Sequence, residues 1–578
     1  MSTRLAHHLV HLGLRPGAIV PLCFEKSIWT GVAIMGVMKA GAASVAMDVG
    51  QPVQRLRQIV NKVDPRLVLC SANATDLAVG LIETSSSRQA LSVSADLLIT
   101  LSSIPLASPS QLPSIDPSSP LYVVFTSGST GVPKGAVISH ENFCSAIYYQ
   151  REAMRYGPGS RVFDFVSYSF DVTWPNILQT LTAGGCVCVP SEDERKNDIS
   201  AAIRRLGATA IHVPPSVARL IDPAEAPAIE LVVLGGEPVA LSDVTRWGTG
   251  VEVVQVYGPA ECTPPVMVSY NVSSGDSMKN IGRGCGVVPW IVDVSDCQKL
   301  APIGYLGEPE KTAVAFLQDP VWLVRGCPGR PGRPGRVYRT GDLAKYDADG
   351  SIMFIGRKDA QVKVHGQRIE LGEVEVHVEK ILQGQPCQID VMVDAVTPKN
   401  STTAMLVAFM VVGSGASSLD DRGGSHTAAS LRDISMLLKQ GLLEMLPVYM
   451  VPTAYIPIEK MPVTGTGKKD RRRLREIGAS MTLEELTSYN PDRQEKRQTD
   501  SIGADDSFIQ IGGDSIAAMR LVALARNQYR ATLTVNEIFK HPRFSVLAQL
   551  VESRIASSTE DMAAMSGMIQ PGSDILRI

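Results

Sequence analysis

Leu121–His140, LYVVFTSGSTGVPKGAVISH, is the stretch whose reading decides the fold. Tyr122 to Phe125 is a β-branched and aromatic run that predicts a buried strand. It opens into Thr126-Ser127-Gly128-Ser129-Thr130-Gly131, then Val132-Pro133-Lys134-Gly135. The glycines let backbone N–H groups approach an anion, the hydroxyls add donors, and Lys134 adds a cation. The spacing differs from a Walker A loop, G-x-x-x-x-G-K-[ST]. A Ser/Thr/Gly-rich surface linker is the competing reading; the strand leading in and the closing lysine weigh against it. By itself the loop predicts phosphate binding and names no reaction.

Upstream, the pattern alternates at short spacing. Leu5–Leu14, Ile28–Ala40 and Val53–Val63 have helical periodicity, while Ile19–Phe24, Ala43–Met47 and Leu67–Cys70 are apolar and strand-like. That alternation predicts a largely parallel sheet with helices on both faces. Ser85–Ser119 is rich in Ser and Pro and predicts a connecting loop. Downstream come a helix near Glu141–Tyr149, a strand near Val162–Val166, a helix near Trp174–Leu181 and a strand at Val187. Further buried strands are predicted at Ile211–Val213, Leu231–Leu234 and Val253–Tyr257. Cys327–Arg336, CPGRPGRPGR, has too short a collagen-like period for a triple helix and predicts an exposed loop. A smaller αβ segment begins at Gly356 and ends near Arg475; within it, Val412–Gly424 predicts a Gly/Ser-rich loop. Met481–Asp500 is polar and predicts a linker, and Ser507 to about Ile555 a short helical domain.

At 578 residues the chain is too long for one core, so several domains are expected. A formal net charge of −3 gives no electrostatic case for nucleic acid or a membrane surface. The 10 cysteines are scattered with no CxxC pair, which fits free thiols in a reducing compartment. The apolar run Ile28–Met38 is too short to span a bilayer. No signal-peptide pattern accompanies Arg4, His7 and His8, so a cytoplasmic location is expected.

TSGSTGVPKG, YGPAE, YRTGDL, GRKDAQVKVHGQRIELGEVE, TGTGKKDR and FIQIGGDSI follow one another in that order. Together they resemble the adenylation–thiolation module of a fungal-type nonribosomal peptide synthetase, within the adenylate-forming enzyme superfamily. The resemblance covers nearly the whole chain. It implies an α/β fold: a large adenylate-forming N-terminal domain over 1–355, with doubly wound sheets and a small β-subdomain, then a small α+β C-terminal domain over 356–478. A linker over 479–500, a partial helical-bundle carrier domain over 501–557 and a tail over 558–578 would follow.

The implied activity is ATP-dependent activation of an amino acid as aminoacyl-AMP and its loading as a thioester on a 4′-phosphopantetheine arm, with Mg²⁺ as cofactor. Thr126, Ser127, Gly128, Ser129, Thr130, Gly131 and Lys134 would hold the β/γ-phosphates. Tyr257 would pack on adenine, and Gly236-Glu237-Pro238 resembles the turn that lines it; a core tyrosine is the other reading for Tyr257. Asp342 would accept the ribose hydroxyls with Arg357 nearby, or else cap its own Thr-Gly turn. Glu261 is a hard oxygen ligand suited to Mg²⁺, or a solvated loop carboxylate. Lys468, on a glycine-flexible loop, would bridge carboxylate and phosphate oxygens; as residues alone, it is one more solvated lysine in a basic run. Asp359 resembles the hinge between the two half-reactions.

Asp171 matches the aspartate that pairs with a substrate α-ammonium, which favours an α-amino acid over an aryl or fatty acid. The remaining pocket positions by motif are Val172, Pro175, His212, Val233, Gly235, Val256, Pro264 and Pro265, with Lys468. Gly235 leaves depth, the prolines make a rigid wall, and His212 is either a hydrogen-bonding group or a satisfied core histidine. A hydrophobic or aromatic amino acid is the expected substrate. Ser515, at a predicted helix N-terminus, looks like the phosphopantetheine attachment site; a simple N-cap is the other reading.

Implied partners are a phosphopantetheinyl transferase and condensation or other synthetase domains in trans, since no HHxxxDG motif is present. Three departures from the family pattern predict reduced or absent activity. The chain begins inside the first helix, Pro302-Ile303-Gly304 runs straight into Tyr305-Leu306-Gly307-Glu308 where roughly 15–20 residues are expected, and the first carrier helix is missing. Two rival readings are a stand-alone acyl- or aryl-CoA synthetase, which would need neither Asp171 nor Ser515, and a truncated, non-catalytic remnant.

Overall fold

A computed structural model describes residues 1–82, 88–103, 112–127, 133–270, 279–289, 291, 315–327, 330–358, 361–364, 367–383, 389–399, 401, 404–412, 426–463, 469–491, 504, 507–508, 513, 515–529 and 531–554. Two sheets dominate the large lobe. The first has six strands in the order Gln89–Ser92, Leu67–Cys70, Ile19–Phe24, Ala43–Asp48, Pro120–Thr126, Lys134–Ser139. All its neighbours are parallel except the last pair. Parallel strands are covered on both faces and so are apolar throughout. That is why Ile19–Phe24 and Leu67–Cys70 stand where the sequence predicts them.

The phosphate-loop stretch is the connection of that antiparallel pair. Thr126 lies opposite Lys134 in register, so both ends of the loop are held by the ladder. Trp174 stacks on Tyr122 at 4.1 Å between centroids and donates to Ser44 Oγ at 3.0 Å, fastening the second half of the lobe to this sheet.

The second sheet has nine strands. Cys186–Cys188, Arg161–Phe163, Ala210–Val213, Leu231–Gly235 and Glu252–Tyr257 are mutually parallel. Met267–Ser269, Asn280–Gly284, Ile352–Arg357 and Asp342–Tyr346 then extend it antiparallel. The strand through Arg357 therefore carries the large lobe past the expected boundary at 355. The small lobe pairs Ile389–Val396, Met405–Val412 and Ala454–Pro457 under the helices Leu371–Leu382 and His426–Met445.

Three sequence expectations need correction. The stretch read as a Ser/Pro loop contains a strand, Gln89–Ser92, and a helix, Ala95–Ser103. Val93, Leu98 and Leu101 are buried there and outweigh the serines. The linker read over 479–500 begins too early. Thr482 and Glu485 form a capping box on the helix Leu483–Ser488, and Leu486 is fully buried against the small lobe. Third, part of CPGRPGRPGR pairs as a tight hairpin, Gly326–Cys327 with Arg330–Pro331, although residues 331–334 are exposed as expected. The Val412–Gly424 loop lies almost wholly outside the described residues.

The carrier region supplies the helices Ser515–Tyr529 and Val535–Lys540 and a third over 544–554. Their apolar residues, among them Met519, Val522 and Ile538, share one continuous core with Ile199, Ala202 and Ile203 of the large lobe. Asn197 Oδ1 accepts from Val535 N at 2.8 Å, and Asp198 pairs with Arg526. Asp198 also caps the helix Ile199–Leu206 by accepting from Ala201 N. Asp198→Arg is expected to unseat the C-terminal helices. Limited trypsinolysis should then cut between the lobes and the carrier several-fold faster. An unchanged cleavage rate would mean the seat is held by apolar contact alone.

Candidate active site

The strand order brings Tyr257, Asp342 and Arg357 together. Asp342 begins one strand and Arg357 ends its neighbour, directly opposite in register. Arg357 Nη1 donates to Asp342 Oδ1 at 2.8 Å. Tyr257, at the end of a parallel strand, donates its hydroxyl to Asp342 Oδ2. Burial and the neighbouring Asp342 carboxylate hold the Tyr257 phenol far above its ordinary range, so it stays a donor. Gly236 takes a positive φ of 84°, which only glycine adopts without strain. Glu237 accepts from Ser216 N at 2.9 Å and Ser216 Oγ at 2.8 Å, so its carboxylate fixes the Gly236-Glu237-Pro238 turn.

Glu261 sits in a short turn after Tyr257-Gly258-Pro259, with a side chain only 1% exposed. A buried carboxylate demands a cation. Arg368 of the small lobe supplies one, Nη1 to Oε2 at 3.0 Å. A single carboxylate leaves the rest of a Mg²⁺ shell to phosphate oxygens and water, the usual arrangement for that ion. Among the described residues no cluster of three or more His, Cys, Asp or Glu could cage a metal alone. Glu261 therefore fits Mg²⁺ held jointly with a polyphosphate. A cavity of about 360 Å³ opens beside it, lined by Glu141, Asn142, Gln150, Cys262, Thr263 and Arg336; none of the predicted amino-acid contacts line that cavity.

The expected amino-acid pocket is consistent in register. His212, Val233 and Val254 are cross-strand partners, as are Gly235 and Val256. Alternation puts His212, Val233, Gly235 and Val256 on one sheet face near the carboxyl ends of parallel strands. A Cβ on Gly235 would lie 2.7 Å from Val256 Cγ2 and 3.6 Å from His212 Nε2, so glycine keeps this floor open. Burial depresses the His212 pKa to about 4, so the imidazole is neutral at physiological pH. Val172 precedes a π-helical turn, Pro175–Gln179, which sequence periodicity read as ordinary helix. Pro264-Pro265 is a cis peptide, held by Gln150 Nε2 donating to Thr263 O and Pro265 O at 3.0 and 2.6 Å.

Asp171 is partly buried. Desolvation and then repulsion from Glu261 raise its pKa to about 6, against the Val172 N–H, Lys363 and Arg368. It is a carboxylate short of positive charge.

Sequence reasoning missed the roof of the cleft. The hairpin Gln361–Val364/Gln367–Glu370 of the small lobe reaches in. Lys363 Nζ lies 5.9 Å from the Tyr257 ring centroid. Burial lowers its pKa, while Asp342 and Asp171 raise it. Ser127 Oγ donates to Arg368 O at 3.1 Å and accepts from Glu370 N at 3.2 Å. Lys134 Nζ lies 3.9 Å from Glu370 Oε1. These cations sit inside a motif quoted for its resemblance, yet no local pattern says which large-lobe groups they meet. Gly128, Ser129, Thr130, Gly131, Asp359 and Lys468 lie outside the described residues. Ser515 begins the Ser515–Tyr529 helix. Ahead of it, Gly513 packs so closely on Phe508 that a Cβ would meet Phe508 Cε1 at 2.4 Å. Cys23, Cys70, Cys144, Cys186, Cys188, Cys262 and Cys285 are free thiols, and among the described residues no helix is long and apolar enough to cross a membrane.

Comparison with known proteins gives two family matches: AMP-binding enzyme over residues 1–308 and phosphopantetheine attachment site over residues 493–551. The chain is 43% identical over 589 residues to nonribosomal peptide synthetase ungA' of Aspergillus campestris, covering 95% of this chain and 6% of that protein. It is 39% identical over 613 residues to nonribosomal peptide synthetase dtxS1 of Metarhizium robertsii, covering 100% and 8%. The chain thus spans under a tenth of these two relatives. Among solved structures, holo-PA1221, an NRPS protein containing adenylation and PCP domains, superposes with a TM-score of 0.71 at 22% identity, covering 96% of this chain and 91% of that one. The adenylation domain AlmE of Vibrio cholerae follows at TM-score 0.62 and 19% identity, covering 82% and 91%.

Proposed function

This chain belongs to the AMP-binding enzyme family and carries a phosphopantetheine attachment domain, and from that premise we propose that it is the adenylation–carrier module of a nonribosomal peptide synthetase. It activates an amino acid with ATP and passes the acyl group to its own carrier. The observation that carries this reading is convergence. The hairpin strands Gln361–Val364 and Gln367–Glu370 meet Glu261 through Arg368, Ser127 through its backbone and Lys134 through Glu370, while Lys363 faces Tyr257 and Asp342, and Asp171 adjoins Glu261.

In the first half-reaction an oxygen of the amino-acid carboxylate attacks the α-phosphorus of ATP. The bond to the bridging oxygen breaks and pyrophosphate leaves. The residues contribute position and charge. Asp342 grips the ribose hydroxyls, Tyr257 packs on adenine, and Ser127 and Lys134 with the loop Gly128–Gly131 take the β/γ-phosphates. Glu261 would hold Mg²⁺, which would offset the phosphate charge. Asp171 pairs with the α-ammonium, and His212, Val233, Gly235, Val256, Val172, Pro175 and the two prolines shape the side-chain pocket. Lys468 bridges the reacting oxygens, and rotation about Asp359 changes the orientation of the small lobe. Ser515 would carry a 4′-phosphopantetheine arm, installed by a phosphopantetheinyl transferase, whose thiol would take the acyl group with release of AMP. Condensation domains elsewhere in the assembly would consume the thioester, in the cytoplasm.

ATP–pyrophosphate exchange across the proteinogenic amino acids tests the reading. Exchange above background is expected with a hydrophobic or aromatic amino acid. The short connection between Pro302 and Tyr305 predicts a rate below that of a variant carrying a restored β-segment. Nucleotide binding without exchange by either protein would reduce the chain to a binding remnant.

A further inference from the structure

The segment that carries Val172 and Pro175 also carries two buried amides that no step described so far uses. Asn176 and Gln179 are each 1% exposed. Neither the oxygen nor the nitrogen of either side chain has a hydrogen-bond partner among the described residues. Burying an amide without partners is costly, so each such group calls for an explanation. Both lie in the π-helical turn Pro175–Gln179, an irregularity that recurs at functional sites. Their direction follows from their neighbours. Trp174, Ile177 and Leu178 pack in the core of the first sheet. Ala183 packs instead with Val233 and Val256 of the second sheet. Residues three and four apart share a helix face, so Asn176 and Gln179 lie on the stripe that ends at Ala183. That stripe looks toward the sheet surface of Val233 and its cross-strand partner His212. His212, neutral because burial lowers its pKa to about 4, adds a third uncharged polar group there. The other expected contacts, Val172, Val256 and Pro264-Pro265, are apolar.

We propose that Asn176 and Gln179 form a polar end to the amino-acid pocket, and that the substrate is an aromatic amino acid with an uncharged hydrogen-bonding group, a phenol or an indole N–H, rather than phenylalanine or an aliphatic amino acid. The inference rests on the adenylating reading above and narrows its substrate class. A side-chain amide offers two donors and an acceptor oxygen. A phenol hydroxyl can donate to one amide and accept from the other, and an indole N–H can donate to an amide oxygen. A bare ring of similar size leaves both amides buried and unpaired. Discrimination is strongest in that situation, because the wrong ligand carries the full desolvation penalty of the site. Neither amide nor the neutral imidazole supplies a counter-charge, which disfavours a charged side chain.

The probes are aminoacyl sulfamoyl adenosines, stable mimics of an aminoacyl adenylate, with tyrosine, tryptophan, phenylalanine or leucine side chains. Titrated calorimetrically into the full chain, they report the pocket without requiring turnover. The tyrosine or the tryptophan probe is expected to bind at least about 100-fold more tightly than the phenylalanine probe. Gln179→Met and Asn176→Leu keep the volume and remove the amide. Each should bring that ratio close to unity, weakening the polar probe and strengthening the phenylalanine one. Each also removes an unpaired buried amide, so the free variants should melt no lower than the wild type. Should one variant fail to fold, the other is read in its place, alongside the wild-type ratio. A ratio retained in a folded variant overturns the assignment of the amides. A wild-type chain that binds the phenylalanine or leucine probe as tightly as the polar ones overturns the proposal and leaves the adenylating reading standing. Binding of none of the probes overturns both.

Discussion

Ser515→Ala is expected to reduce acyl loading from stoichiometric to none, while the first half-reaction, which needs no carrier, continues and serves as the internal control. The family match over 493–551 contains Ser515, and the structure starts a 15-residue helix at that residue. A helix start leaves unsatisfied N–H groups and a positive end, which favours an incoming phosphate. Two residues ahead of it, Gly513 N donates to Phe508 O at 2.9 Å, and Phe508 leaves no room for a Cβ at Gly513. Intact-protein mass spectrometry after treatment with a phosphopantetheinyl transferase and coenzyme A checks the prediction. Wild type should gain the mass of one arm and, with amino acid and ATP, one acyl group. The alanine variant should gain neither. An arm on the alanine variant would move the attachment site elsewhere. No arm on a folded wild type would favour the stand-alone synthetase reading. It would also imply that the carrier helices, sharing a core with the large lobe, hold Ser515 out of reach.

Much of the large lobe was legible because parallel strands buried on both faces write their burial directly into composition. Ile19–Phe24 and Leu67–Cys70 stand where the apolar runs put them, and the helix Val53–Val63 stands where helical periodicity put it. The strand Gln89–Ser92 was not legible. It lies at the sheet edge, pairs on one side only and carries residues that also suit loops. The helix Leu483–Ser488 was legible in principle, since Thr482 and Glu485 spell a capping box, but the surrounding charge masked it. In the site, Tyr257, Glu261 and Asp342 were named from the motifs YGPAE and YRTGDL, and the structure puts Tyr257 and Asp342 at strand ends and Glu261 in the turn that follows Tyr257. The meeting of Arg368 with Glu261 was not, because it joins residues 107 apart in sequence and depends on how the two lobes sit. Sequence patterns report local structure; ion pairs between lobes leave no local trace.

Asp171→Asn is expected to lower kcat/KM for the amino acid about 30-fold or more, mostly through KM, because removing one partner of a desolvated charge pair costs about 2–5 kcal/mol. The structure adds a pH dependence. With its pKa pushed up to about 6 by burial and by Glu261, Asp171 is ionised above that pH and neutral below it. Only the ionised form complements an α-ammonium, so the amino-acid KM should be lowest above pH 6 and rise as pH falls through about 6, approaching tenfold per unit. The asparagine variant should show a flat profile across the same range, set at the high KM. Substrate charge does not blur the reading, since the amino group stays protonated throughout. A wild-type KM that does not change between about pH 5 and 8, or an asparagine variant that keeps its affinity, would remove Asp171 from ammonium recognition. The same experiment bears on the hairpin. Lys363 and Arg368 are the cations that now offset Asp171. Asp171 and Glu261 repel each other across the site. An arriving ammonium at one carboxylate and an arriving metal at the other then relieve the same repulsion, so amino acid and Mg²⁺·ATP should each tighten the binding of the other.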